Sequence, residues 1–290
     1  MRLVSYWAGS SLEAGFEEGG RVLSTAALGV RSGGATTVRT LLAQGVDLQE
    51  MTELAGRLMA DDGLLAGRVG ELRLGPPIPD PDKIICLGQN YADHVAEMAN
   101  TRPDVPNLFP KFRNCLIGTG DAIRLPRSSQ QVDYEGELAV VIGRRCHQVA
   151  EKDALAHVGG YTVMNDVSAR DLQFRTGQYT VGKAADTFCP MGPGLVPAFE
   201  IPDPQVLELA TYLNGEQMQL GNTAAMLFSV AEAISFISEV ITLEPGDVIA
   251  TGTPSGVGYK RVPPRFLLPG DLIEVEVERI GRLSNSVVQG

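Results

Sequence analysis

The stretch Asp133-Tyr134-Glu135-Gly136-Glu137-Leu138-Ala139-Val140-Val141-Ile142 decides how the rest of the chain is read. A short apolar run rich in β-branched residues, entered through a turn-like acidic segment, has the pattern of a buried strand. Residues two apart in a strand share a face, so Glu135 and Glu137 stand side by side at its mouth. Neighbouring carboxylates repel, and a cation between them is the simplest relief. The plain alternative is a solvated acidic strand end.

Further strands read outward from this one at Lys83–Leu87, Tyr161–Met164, Glu208–Leu213, Asp247–Ala250 and Leu272–Val277. Pro245-Gly246-Asp247 and Pro269-Gly270-Asp271 are tight turns feeding two of them, since proline presets φ and glycine permits φ > 0. Asn214-Gly215 is a hairpin signal. One helix is predicted over Ser229–Ile241, with Ser229 and Glu232 as a capping box and Ala231, Ile234, Ile237 and Ile241 as its apolar stripe. Upstream, Leu74–Lys83 (LGPPIPDPDK) holds four prolines in ten residues and cannot continue a helix or a central strand. It divides a small N-terminal domain, 1–74, from a larger domain, 75–290. The smaller part mixes strands (Leu3–Trp7, Arg21–Ser24) with amphipathic helices (Thr37–Leu42, Leu48–Met59). The fold class expected is α+β.

Composition narrows the function. The chain has 290 residues, 44% hydrophobic and 20% charged, which excludes wholesale disorder. A net charge of −11 argues against a nucleic-acid partner and requires local positive charge around any anionic substrate. The four cysteines contain no C-x-x-C pair, so neither a zinc ribbon nor a thioredoxin-like motif is indicated, and reduced thiols in the cytoplasm are expected. No membrane-spanning run and no signal-peptide pattern are read. The absence of Gly-x-Ser-x-Gly disfavours a serine hydrolase.

Four other segments carry candidate chemistry. Tyr161–Asp166 reads as a strand ending in an acid, so Asp166 could join Glu135 and Glu137 in an all-oxygen site suited to Mg²⁺, Mn²⁺ or Ca²⁺. His94 and Glu97 lie three apart on a short helix, the spacing of an oriented general base or of an ordinary surface pair. Lys183, in weakly polar then apolar surroundings, needs a counter-anion if it is buried and is a snorkelling lysine if it is not. The loop Thr251–Gly258 is rich in glycine and hydroxyls, and its N–H groups could cradle an anionic oxygen. His147 and His157 have no acidic companions at useful spacing and read as structural or surface residues.

In order, the motifs are Asn90-Tyr91-x-x-His94-x-x-Glu97, Phe109-x-Lys111, Asp133-Tyr134-Glu135-x-Glu137, Asn165-Asp166-x-Ser168-Ala169-Arg170-Asp171-x-Gln173, Gly182-Lys183-x-x-Asp186-Thr187-Phe188, Leu213-Asn214-Gly215, Glu244-Pro245-Gly246-Asp247 and Thr251-Gly252-Thr253-Pro254-x-Gly256. The set resembles the fumarylacetoacetate hydrolase family from Ile84 to about Val287. The resemblance implies a mixed β-roll or sandwich, a homodimer, and bound Mg²⁺ or Mn²⁺. It makes Glu135, Glu137 and Asp166 the metal ligands and His94 with Glu97 the water-activating dyad. It gives Lys183 and Gln173 the substrate oxygens or a nearby water, and it places Thr253 with Gly252, and more loosely Lys111, at the substrate. Ala184 stands where many members have a serine, which bears on the substrate.

The activity implied is metal-assisted C–C bond hydrolysis of an acylpyruvate-type 2-keto acid through an enolate. The alternative is isomerisation or decarboxylation of 2-keto or 2-hydroxy-dienoate diacids, or of oxaloacetate, in aromatic catabolism. A non-catalytic metal-binding protein is a remote third reading.

Overall fold

In the computed structural model, which describes residues 1–29 and 36–290, fifteen of the strands carry the architecture. They are β1 (Arg2–Ala8), β2 (Ser11–Glu18), β3 (Arg21–Ser24), β4 (Leu65–Arg68), β5 (Ile84–Gly88), β6 (Asn107–Lys111), β7 (Ile123–Leu125), β8 (Gly136–Ile142), β9 (Val158–Asn165), β10 (Cys189–Pro197), β11 (Glu208–Leu213), β12 (Glu216–Asn222), β13 (Val248–Ala250), β14 (Leu272–Val277) and β15 (Gly281–Gln289). The large sheet runs β4-β3-β2-β1-β10-β9-β8-β13-β5-β6, and a second runs β12-β11-β14-β15-β7. Both are mixed, with parallel pairs at β13–β5 and β15–β7. The α+β class and mixed-β architecture expected from the sequence are what the chain adopts.

The apolar run of β8 is continuous because both its faces are covered. Leu138, Val140 and Ile142 pack toward β11, β14 and helix residues Ile234 and Ile237. Ala139 and Val141 face the opposite cluster, which includes Leu41, Met51 and Ala55. Those three lie on α1 (Val38–Ala43) and α2 (Leu48–Leu58), capped by Thr37 and Asp47. Residues 1–74 thus share both a sheet and a core with the rest of the chain: β1 pairs with β10 at Leu3↔Leu195, and Gly75 pairs with Ser5.

Among the further short helices are α3 (Ala92–Glu97), α4 (Arg170–Gln173), α5 (Thr180–Lys183) and α6 (Val230–Ser238). The Ser229–Glu232 capping box is present on α6. Its buried stripe is Val230, Ala233, Ile234 and Ile237; Ala231 and Ile241 are only partly buried, so the stripe lies part of a turn away from the expected one. Asn214 (φ 54) and Gly215 (φ 82) form the left-handed turn of the β11–β12 hairpin.

β2, β4, β6, β7, β10 and β15 are not among the strands expected from the sequence, and two of these, β10 and β6, escape its pattern because they carry proline. β10 (CPMGPGLVP) carries three prolines yet lies inside the large sheet. Its pairing with β1 is confined to Leu195, and its ladder with β9 breaks register between Tyr161 and Val163, opposite Pro193. Missing proline N–H groups therefore cost few ladder bonds. β6 tolerates Pro110 because it is an edge strand. Among the described residues no helix is long and apolar enough to cross a membrane.

Candidate active site

The register of the large sheet gathers four chain segments at one end. β8 and β9 are antiparallel with Gly136 opposite Asn165, so the start of one strand meets the end of the other. Glu135 N–H donates to Asn165 Oδ1 (3.0 Å), and Asp166 N–H donates to the Glu135 carbonyl (2.8 Å). On the other flank Ala139 pairs with Ala250, which brings Gly252 opposite Glu137. β5 runs parallel to β13 and delivers Gly88, Gln89 and α3 to the same end. Gly136 has to be glycine, because a Cβ there would lie 2.2 Å from Thr211 Oγ1 on the second sheet. That close approach leaves Glu135 and Glu137 on the other face.

The three sequence-predicted carboxylates converge. Glu135, Glu137 and Asp166 are buried, and one oxygen from each lies within 4.8 Å of the others. Lys183, also buried, places Nζ 2.6 Å from Glu135 Oε2 and 2.7 Å from Asp166 Oδ2. Its counter-anions are thus the protein's own acids, and burial excludes the snorkelling alternative. Gly182 lets α5 approach this closely, since a Cβ would stand 2.5 Å from Gln173 N. Arg170 Nη1 lies 2.7 Å from Glu135 Oε1, and its Nε donates to Asp133 Oδ2 at 2.9 Å.

Electrostatics distinguish the acids. Burial alone would raise the Glu135 carboxyl, but Lys183 and then Arg170 outweigh it and hold the group below the usual carboxylate range. Glu137 goes the other way: burial, then Asp166 and Glu135, push its carboxyl well above that range. Its Oε2 accepts from Gly252 N–H at 2.8 Å, and among the described residues no side-chain cation pairs with it. In total four buried acids (Asp133, Glu135, Glu137, Asp166) face three buried bases (Lys111, Arg170, Lys183). This donor set fits a hard divalent cation: it is all oxygen, buried, and short of one positive charge.

His94 and Glu97 share a face of α3 as expected, with Nδ1 to Oε2 at 3.1 Å. Glu97 Oε1 accepts from Gly256 N–H at 2.9 Å. His94, Gln173, Lys183 and Thr253 line one cavity with Glu135 and Glu137, beside Gln89, Phe109 and Tyr179. Gln173 Oε1 accepts from Arg170 (3.1 Å), while Thr253 Oγ1 donates to the Gly136 carbonyl (2.9 Å) and accepts from Gln219 (2.8 Å).

Two residues face elsewhere. Lys111 does not line the cavity; its Nζ lies 2.7 Å from Asp166 Oδ1 and donates to the carbonyls of Val167, Lys183 and Phe188, so it holds Asp166 from behind. Gly252 spends its N–H on Glu137. The loop beyond β13 does cradle anionic oxygens, but they are the protein's own: Gly252 donates to Glu137, Ser255 to Asp93, Gly256 to Glu97, and Gly258 and Tyr259 to Asp133. Sequence reasoning gave no role to Asp133, Arg170 or Gln219. The first had a visible signal, since Asp133, Glu135 and Glu137 recur at a spacing of two.

Residues 83–288 match the family described as Fumarylacetoacetate (FAA) hydrolase C-terminal. Oxaloacetate tautomerase FAHD2A, mitochondrial, of Bos taurus is 49% identical over 214 residues, covering 73% of this chain and 68% of that protein. Oxaloacetate tautomerase YisK of Bacillus subtilis is 44% identical over 243 residues, covering 82% and 81%. Among solved structures, maleylpyruvate hydrolase from Sphingobium sp. SYK-6, in complex with manganese (II) ion and pyruvate, superposes over the full length of both chains with a TM-score of 0.80 and 31% identity.

Proposed function

We propose, from the premise that this chain belongs to the fumarylacetoacetate hydrolase family, that it is a divalent-metal-dependent enzyme that enolises a 2-keto acid, with oxaloacetate keto–enol tautomerisation as its reaction. The observation that carries the reading is the unneutralised Glu137 inside the buried triad Glu135, Glu137 and Asp166, beside an oriented imidazole. Identities of 44–49% to oxaloacetate tautomerases support the choice of substrate.

Glu135, Glu137 and Asp166 would hold Mg²⁺ or Mn²⁺, which would supply positive charge beside the developing enolate. The chain's own groups account for the proton transfers. Glu97 engages His94 Nδ1, which leaves Nε2 free to exchange a proton with substrate. The C3–H bond breaks as His94 Nε2 takes the proton. The electron pair moves to the C2 oxygen, which takes that proton back from His94 Nε2 to give the enol and regenerate the base, with no water consumed. Lys183 and Gln173 orient the substrate oxygens, and Thr253 fixes the Gly136 backbone between the two glutamates.

The test is keto–enol interconversion of oxaloacetate, followed by NMR, with protein stripped by chelator and then reloaded. Activity should vanish on stripping and return with Mg²⁺ or Mn²⁺; full activity in chelator sinks the reading.

The hydrogen-bonded His94–Glu97 pair, together with the likeness to maleylpyruvate hydrolase, favours one further reading, acylpyruvate hydrolysis. There His94 takes a proton from water, hydroxide adds to the distal carbonyl, and the C–C bond breaks. Protonation of C3 gives pyruvate and a carboxylic acid. Release of pyruvate from acylpyruvates distinguishes this from tautomerisation.

A further inference from the structure

Gln89 lines the cavity with φ at +61°, the left-handed region that a residue bearing a Cβ enters only under constraint. The constraint is visible on both sides. Gly88 is paired with Asn107 across β5 and β6. Asn90 Nδ2 donates to the carbonyls of Thr251 (2.8 Å) and Phe228 (3.0 Å), while its Oδ1 accepts from Phe228 N–H (2.8 Å). The chain is bolted before and after Gln89, and glycine would adopt this turn at no cost. A glutamine held there instead points to work for its side chain, and its carboxamide has no hydrogen-bond partner among the described residues.

That free amide matters because the cavity's cations are committed. Lys183 is paired with Glu135 and Asp166, and Arg170 with Asp133 and Glu135. A second carboxylate on the substrate therefore finds no lysine or arginine in the cavity without an acid partner of its own. Asn100, the other unpartnered amide of the cavity, is exposed, whereas Gln89 is partly buried on a fixed backbone.

We infer that Gln89 is a specificity-determining residue that reads the far end of the substrate, its Nε2 donating to the C4 carboxylate of a four-carbon 2-keto diacid. The inference rests on the 2-keto acid reading of the site but not on which reaction the bound substrate undergoes.

The test is calorimetric titration of the Mg²⁺-loaded protein with oxaloacetate and with pyruvate, which lacks the C4 carboxylate. Wild type should bind oxaloacetate the more tightly. Gln89→Gly should keep or raise the melting temperature and keep pyruvate affinity within about twofold, while oxaloacetate affinity falls roughly ten- to a hundredfold, the loss of one charge-assisted hydrogen bond. Gln89→Glu should weaken oxaloacetate further by repulsion. Equal weakening of both ligands, unchanged oxaloacetate affinity in Gln89→Gly, or no preference for oxaloacetate in wild type overturns the inference. Tight, Gln89-dependent binding without turnover leaves it standing and removes the tautomerase reading instead.

Discussion

Gly252 donates its backbone N–H to Glu137 Oε2 at 2.8 Å, a neutral partner for the one acid of the triad that no side-chain cation reaches among the described residues. A buried carboxylate supported only by an amide is poorly compensated in the metal-free protein. Glu137→Gln should therefore leave the metal-free fold at least as stable as wild type. It should also lower Mn²⁺ affinity by more than about a hundredfold, exceeding the loss expected from removing an outer-shell partner. Thermal melts and calorimetric titration of chelator-stripped protein check both halves; wild-type affinity in the variant would remove Glu137 from the ligand set.

Arg170 carries the opposite prediction. It is 1% exposed and ties Asp133 to Glu135. Replacing it by methionine leaves both acids buried without it, a change that costs about 3–5 kcal/mol where a buried pair loses one partner. Urea unfolding should show this. Arg170→Lys should recover only part, because an ammonium cannot reproduce the two-sided fork. Wild-type stability in the methionine variant would mean that Asp133 and Glu135 are compensated by their remaining partners.

The sequence disclosed those parts of the molecule whose causes are local. The Asn214-Gly215 turn, the Ser229–Glu232 capping box and the β8 run come from φ preferences, orphan N–H groups and hydrophobic pattern over a few residues. Convergence of Glu135, Glu137 and Asp166 was legible because each acid stands at a strand end. What stayed hidden depends on partners far away in sequence. The three prolines of β10 mask its strand until its broken ladders are known. Lys111 reads as a substrate contact until Asp166 and three carbonyls are seen around its Nζ. The amides of 252–259 look available until the acids they serve are located.

Asp271 gives a pH prediction away from the site. At the Pro269-Gly270-Asp271 turn its carboxylate accepts from Arg265 (2.8 and 2.9 Å), Asn214 (2.8 Å) and Leu268 N–H (2.8 Å). Burial opposes ionisation, but these donors outweigh it and lower the carboxyl below 3.8. A depressed folded value contributes stability above the unfolded value and loses it as pH falls through the folded one. Asp271→Asn should therefore cost about 1–2 kcal/mol near neutral pH, discounted for partial solvent screening. The gap from wild type should close as pH drops below about 3.8. Chemical denaturation at pH 7, 5 and 3 measures it, and a gap that does not narrow between pH 5 and pH 3 argues against a charge effect.

The His94–Glu97 pair separates the two reactions considered for the site. Glu97 bridges His94 Nδ1 (3.1 Å) and Gly256 N–H (2.9 Å), so the ring is oriented by an acid that is itself anchored to the loop after β13. His94→Ala should lower kcat for oxaloacetate tautomerisation by about 10²–10⁴, the usual contribution of a positioned general base. Mn²⁺ affinity should be unchanged, because His94 is not one of the three clustered acids. Glu97→Gln is the sharper probe. Its oxygen can still accept from Gly256, which turns the amide NH₂ toward Nδ1 and forces the imidazole proton onto Nε2, the wrong nitrogen for a base. Tautomerisation should then fall nearly as far as in His94→Ala, with the fold and the metal affinity intact. If both variants tautomerise oxaloacetate at the wild-type rate yet no longer cleave acylpyruvates, the pair acts on water, and hydrolysis becomes the reaction for which this site is built.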